Sequence, residues 1–182
     1  MEAYIVPGWV TIVAGLVIYR RKPEPQVLLG LHSVRFEAGK WCLPTGLGVI
    51  RRDISSALAF GSPATLRDPV NAIQGMSESH KQALLTPAGF ALAEAKWYIE
   101  LPPNIGVEQL VPLKPICQLG GKSLLVKVYF GLEWEVDDLP KPVTEFAEVK
   151  FFTREELKSI PIAFEVKDLN VCFWPRHGKE AK

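Results

Sequence analysis

The sequence is short of cysteine, short of net charge and, over one long stretch, empty of glutamate. It holds three cysteines in 182 residues, Cys42, Cys117 and Cys172. Their odd number and wide spacing, with no Cys-x-x-Cys pair and no Cys/His spacing, argue against a thiolate zinc site. Reduced, intracellular thiols are the expectation. The formal net charge of +1 gives no overall field to attract nucleic acid. Only two small basic clusters remain, Arg20, Arg21 and Lys22, and Arg51 and Arg52. No apolar run is long enough to span a bilayer: "VTIVAGLVIY" is too short, and its basic residues follow it, whereas a signal peptide has them in front. No membrane and a cytoplasmic location are therefore expected. Between Ala38 and Ser77 there is no glutamate at all.

What is present is a chain with 48% hydrophobic and 23% charged residues, enough for one globular domain over 1–182 with a full core. The Val- and Ile-rich "VTIVAGLVIY" and the shorter "QVLLGLH" predict two strands joined by a proline-bearing turn across residues 10–32. A loop from Gly39 to Gly48 follows. Residues 53–77, punctuated by Pro, Gly and Ser, predict an irregular insertion. Ser77 followed by Glu78, and Thr86 followed by Pro87, are helix-start signals. The second helix is predicted from about Pro87 to Leu101, ending at Pro102-Pro103.

Beyond that helix the texture turns to strand in "GVEQLVPLKPICQL", "KSLLVKVYFGLEWEV" and "FAEVKFF". Thr153, with Glu156 three residues on, predicts a capping box and a short helix before Pro161. His177 falls in a polar tail at about 175–182. The order of strands, helix, strands, helix predicts an α+β fold, a mixed sheet with helices about it.

"VTIVAGLVIY…QVLLGLH…GKWCLPTG", a helix, and then "KSLLVKVYFGLEWE…EFAEVKFFTREELKSIP" together resemble the Nudix hydrolase fold over roughly residues 9–161. "KWCLPTG" stands for the family's Trp-x-Leu-Pro-Gly-Gly-type turn. The family's box, GX5EX7REUXEEXGU, carries glutamates that hold divalent metals against a diphosphate. Laying "IELPPNIGV" on its second half keeps Glu100, Leu101, Gly106 and Val107 but puts Pro103 and Asn104 where the paired acids belong. Laying "AEAKWY" there keeps Glu94 and puts Trp97 and Tyr98 in their place. Neither placement restores the box.

Six residues separate Glu94 from Glu100, so on a helix they project about 120° apart, flanking an apolar stripe of Phe90, Ala93, Trp97 and Leu101. Both read first as boundary acids beside a core-facing stripe. The resemblance implies Glu94, Glu100 and Glu148 as catalytic candidates, and Glu94, Glu100, Glu145 and Glu148 as ligands for Mg²⁺ or Mn²⁺ if the chain is active. It also offers Trp41, Pro44, Gly46 and Gly48 as ligand-binding candidates, although Trp41 and Leu43 read equally as plugs of the sheet. His32 and His80 read as structural or solvent-facing, and no Ser/Asp or Cys/Asn partner builds a nucleophile triad.

Two functions follow. One is a metal-dependent hydrolase of nucleoside diphosphate derivatives with impaired or atypical catalysis. The other is a catalytically silent Nudix-like module that binds a nucleotide-like small molecule or a macromolecular partner. The insertion, carrying Leu58, Phe60, Leu66, Val70 and Ile73, is expected to cover the entrance beside Trp41 or to form a homo-oligomer surface.

Overall fold

The computed structural model describes residues 9–33, 38–51, 59–60, 86–120 and 123–177. Its centre is β1 (Trp9–Arg20), whose Val- and Ile-rich sequence is buried on both sides from Ala14 to Tyr19. A central strand covered on both faces reads as a continuous apolar run, which is why "VTIVAGLVIY" has the look of a membrane segment. β1 hydrogen-bonds in parallel along almost its whole length with β8 (Ser123–Glu133).

On its other side β1 changes partner. Trp9 to Gly15 pair antiparallel with β4 (Thr45–Arg51), and Tyr19 and Arg20 pair with β2 (Gln26–His32). β2 in turn carries β3 (Trp41–Cys42) and β9 (Phe146–Thr153), both antiparallel. The short β5 (Ala59–Phe60) adds to β4, and β6 (Val111–Pro112) and β7 (Ile116–Gly120) add to β8.

The α1 helix (Pro87–Tyr98) covers one face. Its Phe90 and Ala91 bury against Ala14, beside Val128 and Phe130. These even-numbered positions of β1 and β8 share a face because parallel partners in register point the same way. The odd-numbered positions face the C-terminal segment. There the ring of Tyr19 meets Phe173 at 5.2 Å, and Tyr129 donates a hydrogen bond to Asp168. That segment runs as a 3₁₀ turn over Phe164–Asp168, then α2 (Leu169–Cys172) and α3 (Trp174–His177). The α+β arrangement of a mixed sheet between helical layers is as the sequence predicts.

Several local expectations change. Gly46 and Gly48 lie within β4, opposite Ala14 and Ile12, rather than in a loop. The true turn is at Gly39, whose φ of 81° suits a residue without a side chain. The helix ends three residues before Leu101 because Ile99 leaves it to bridge Pro142, while the Glu100 amide donates to Lys141 O. Its start is as predicted: Thr86 Oγ1 accepts from the Gly89 amide and Pro87 occupies the first turn. The Thr153–Glu156 capping box also forms, on a 3₁₀ turn over Glu156–Lys158. Of the insertion at 53–77 only Ala59 and Phe60 are described; its covering role, the Ser77 helix start, Asp53, His80 and the residues after His177 lie outside the described residues.

Candidate functional site

The acids converge where the end of α1, the end of β2 and the start of β9 meet. Residues 141–145 tie these elements together. The Val143 amide donates to Tyr98 O and the Thr144 hydroxyl to Trp97 O, both at the C-terminal end of α1. On the other side Ser33 donates twice to Glu145 O, from its amide and from its hydroxyl, each at 2.8 Å. Orphan helix carbonyls are thereby satisfied by the same loop that presents Glu145.

Glu145 Oε2 lies 3.0 Å from His32 Nε2, whose side chain is 14% exposed. The ring of His32 stands edge-on to Phe146, with centroids 6.0 Å apart, and Phe146 is stacked on Tyr98 at 4.7 Å. Two aromatic rings therefore pack beside the His32–Glu145 contact.

Glu94 enters the same region from α1 and overturns its reading as a boundary acid. It is only 5% exposed, and its Oε2 is buried without a hydrogen-bond partner among the described residues. Burial raises its pKa to about 7, and the negative charge of Glu145 adds to the rise. Tyr98 is likewise held well above the ordinary phenol value, first by burial and then by Glu94 and Glu145. The apolar stripe is rotated accordingly. Phe90, Ala91, Leu92 and Ala95 are buried with Glu94, whereas Trp97, predicted to face the core, is 46% exposed.

The other candidates stand apart. Glu100 lies past the helix end and Glu148 is on β9 beside Leu31, both exposed. Glu94 and Glu145 are brought close enough for the charge of Glu145 to act on Glu94, whereas Glu100 and Glu148 are exposed. Among the described residues no group of three His, Cys, Asp or Glu side chains is placed to hold a metal ion.

Trp41 is half-buried, and packing accounts for its position. Its ring meets Phe152 edge-on at 4.6 Å, while its backbone donates to Pro161 O and accepts from the Ala163 amide. Pro44 is buried and accepts from the Leu16 amide at 3.3 Å. His32 and Tyr98 are the site residues that sequence reasoning did not select. The histidine gained significance only through Glu145, in the loop just before β9.

No family model matches the sequence, and neither does any curated protein. Solved structures do match by shape. A Nudix hydrolase from M. smegmatis, RenU, aligns with a TM-score of 0.53 at 18% identity, over 90% of this chain and 81% of that one. The ORF135 protein of E. coli aligns at 0.50 and 12% identity, over 95% of both chains. The NUDIX domain of Shewanella oneidensis NrtR, solved with ADP ribose, aligns at 0.49 and 15% identity over 93% of this chain and 85% of that one. The chain has a Nudix-like fold.

Proposed function

We propose that the chain is a Nudix-like module with impaired hydrolase chemistry, which holds a nucleoside diphosphate-type ligand at the Glu94–Glu145 end and turns it over slowly or not at all. The observation that carries this reading is the buried carboxylate of Glu94, which has no hydrogen-bond partner on Oε2 among the described residues. It is one helix acid, with one oxygen unpartnered among the described residues, and the family's box would carry several.

Glu94 and Glu145 fit Mg²⁺ or Mn²⁺ as a weak pair of oxygen donors, with the remaining coordination left to ligand phosphates and water. An ion held there would offset the charge of a diphosphate. The chain's own residues would do the rest. His32 orients Glu145, the Phe146–Tyr98 stack packs beside that contact, and burial keeps Glu94 protonated for part of the time near neutral pH. Glu100 and Glu148, being exposed, would act only if ligand binding drew them inward.

The test is calorimetry with ADP-ribose, a dinucleoside polyphosphate and a nucleoside triphosphate, with and without Mg²⁺, run beside an assay for nucleoside monophosphate release. Binding with little or no release is expected. Metal-dependent release that is abolished by Glu94→Gln or Glu100→Gln would replace this reading with that of a competent hydrolase, and absence of any binding would remove the ligand.

A further inference from the structure

The chain after β9 forms a concave site that shares no residue with the Glu94–Glu145 end. It is a cleft of about 610 Å³ between the 154–162 turn and the C-terminal helices. That is within the size range of small-molecule sites. Its floor is apolar: Leu157, Val166 and Trp174 are buried, and Ile160 and Ile162 are half-buried.

The rim is basic. Among the described residues three cations, Arg154, Lys158 and Lys167, line it against a single carboxylate, Glu155, leaving two positive charges in excess. Lys158 Nζ is already held by Glu155 at 2.7 Å. Arg154 and Lys167 are exposed, and neither side chain has a hydrogen-bond or ion-pair partner among the described residues. An apolar floor under two unneutralised cations selects for a molecule with the opposite pairing. A neutral apolar ligand would leave the cations unused, and a compact inorganic anion would leave the floor in water.

We propose that this cleft binds a small anionic amphiphile, a flat or branched apolar body joined to a carboxylate, sulfonate or phosphate. The body lies on Leu157, Ile162 and Trp174. The anionic group meets Arg154, whose planar fork can take two oxygens at once, with Lys167 as the second charge.

Two dyes that differ in charge test this on the full chain. Anilinonaphthalene sulfonate carries the anion, and N-phenyl-1-naphthylamine has the same apolar body without it. The sulfonate dye is expected to bind saturably, one per chain. The double variant Arg154→Gln/Lys167→Gln is expected to weaken it by roughly fivefold or more, the sum of two exposed charge contacts, and to change the neutral dye by less than about twofold. Raised salt should weaken the sulfonate dye alone. Ile162→Asn, checked for intact circular dichroism, should weaken both dyes. Unsaturable binding, sulfonate affinity unchanged in the double variant, or equal weakening of the two dyes by that variant would each overturn the proposal.

Discussion

The ring of Phe146 occupies the space in which Gly30 would carry a Cβ, so the two residues fit only because Gly30 has none. The seat matters because the same ring stacks on Tyr98 and meets His32 edge-on, and His32 is the neighbour of Glu145. Gly30→Ala should therefore push the ring aside and destabilise the fold by about 1–3 kcal/mol, the usual cost of overpacking. Urea unfolding measures it. Phe146→Leu made in the Gly30→Ala background should recover part of the loss, because the smaller side chain yields the space; additive losses in the double variant would mean that the ring is not what the new methyl meets.

Glu94 links stability to pH. Its pKa is about 7 in the folded chain and that of an ordinary carboxyl, about 4.3, in the unfolded one. Between these values the folded chain binds a proton that the unfolded chain has released, so stability falls as pH rises and levels off above about 7. The full fall is on the order of 3 kcal/mol. Glu94→Gln should flatten this slope, and the variant should gain most over the parent near pH 8. Denaturation midpoints at pH 5, 6.5 and 8 decide it; a parent chain with no decline across that window would place a partner on Glu94 Oε2.

What the sequence revealed and what it hid divide along range of interaction. The Thr86 and Thr153 caps depend on residues three positions apart, and both form as predicted. The longer strands β1, β2, β8 and β9 were legible from their branched and aromatic residues, whereas β4, with Gly46 and Gly48, read as loop. The face of α1 was not, because a stripe drawn through Phe90, Ala93 and Trp97 treats the tryptophan as core and the glutamate as boundary; the sheet takes the opposite choice. The His32–Glu145 pair was equally hidden, since only the antiparallel register of β2 with β9 makes neighbours of residues so far apart in the chain. Likewise nothing in "FEVKDLNVCFW" announced a helical layer, whose burial rests on contacts such as Tyr19–Phe173.

That layer is also fastened by charge. Lys127 Nζ and the Tyr129 hydroxyl both donate to Asp168 Oδ2, at 2.9 and 2.7 Å, in a buried cluster with Lys127 only 4% exposed. Removing one partner strands the other, so Lys127→Met or Asp168→Asn should cost about 3–5 kcal/mol. The paired change Lys127→Met/Asp168→Leu should cost clearly less than the two single losses combined, because no uncompensated charge is left behind. Additive losses by urea unfolding would rule out coupling across this pair.

The thiols should separate by burial. Cys117 is exposed on β7, whereas Cys42 and Cys172 are buried, and burial together with Asp168 pushes the Cys172 thiol up to about 12. The thiolate is the reacting form, so Cys172 has almost none at neutral pH. One thiol per native chain should react quickly with an aromatic disulfide reagent, and Cys117→Ser should abolish that phase. All three should react once the chain is unfolded in urea. A fast native phase surviving Cys117→Ser would show that a buried thiol is reached through local opening.

Among the described residues Glu94 and Glu145 are the carboxylates brought close enough to act on each other here, and Mg²⁺ ordinarily needs more oxygens than two carboxylates supply. Mg²⁺ and Mn²⁺ should therefore bind no tighter than about millimolar to the free chain. Binding must also displace the proton that burial keeps on Glu94, so affinity should rise from pH 6 to pH 8 and proton release should accompany it. Titration calorimetry in two buffers of different ionisation enthalpy measures both quantities together. Glu94→Gln should remove the pH dependence along with most of the binding. Micromolar affinity, or a pH dependence that persists in Glu94→Gln, would mean that other acids complete the site.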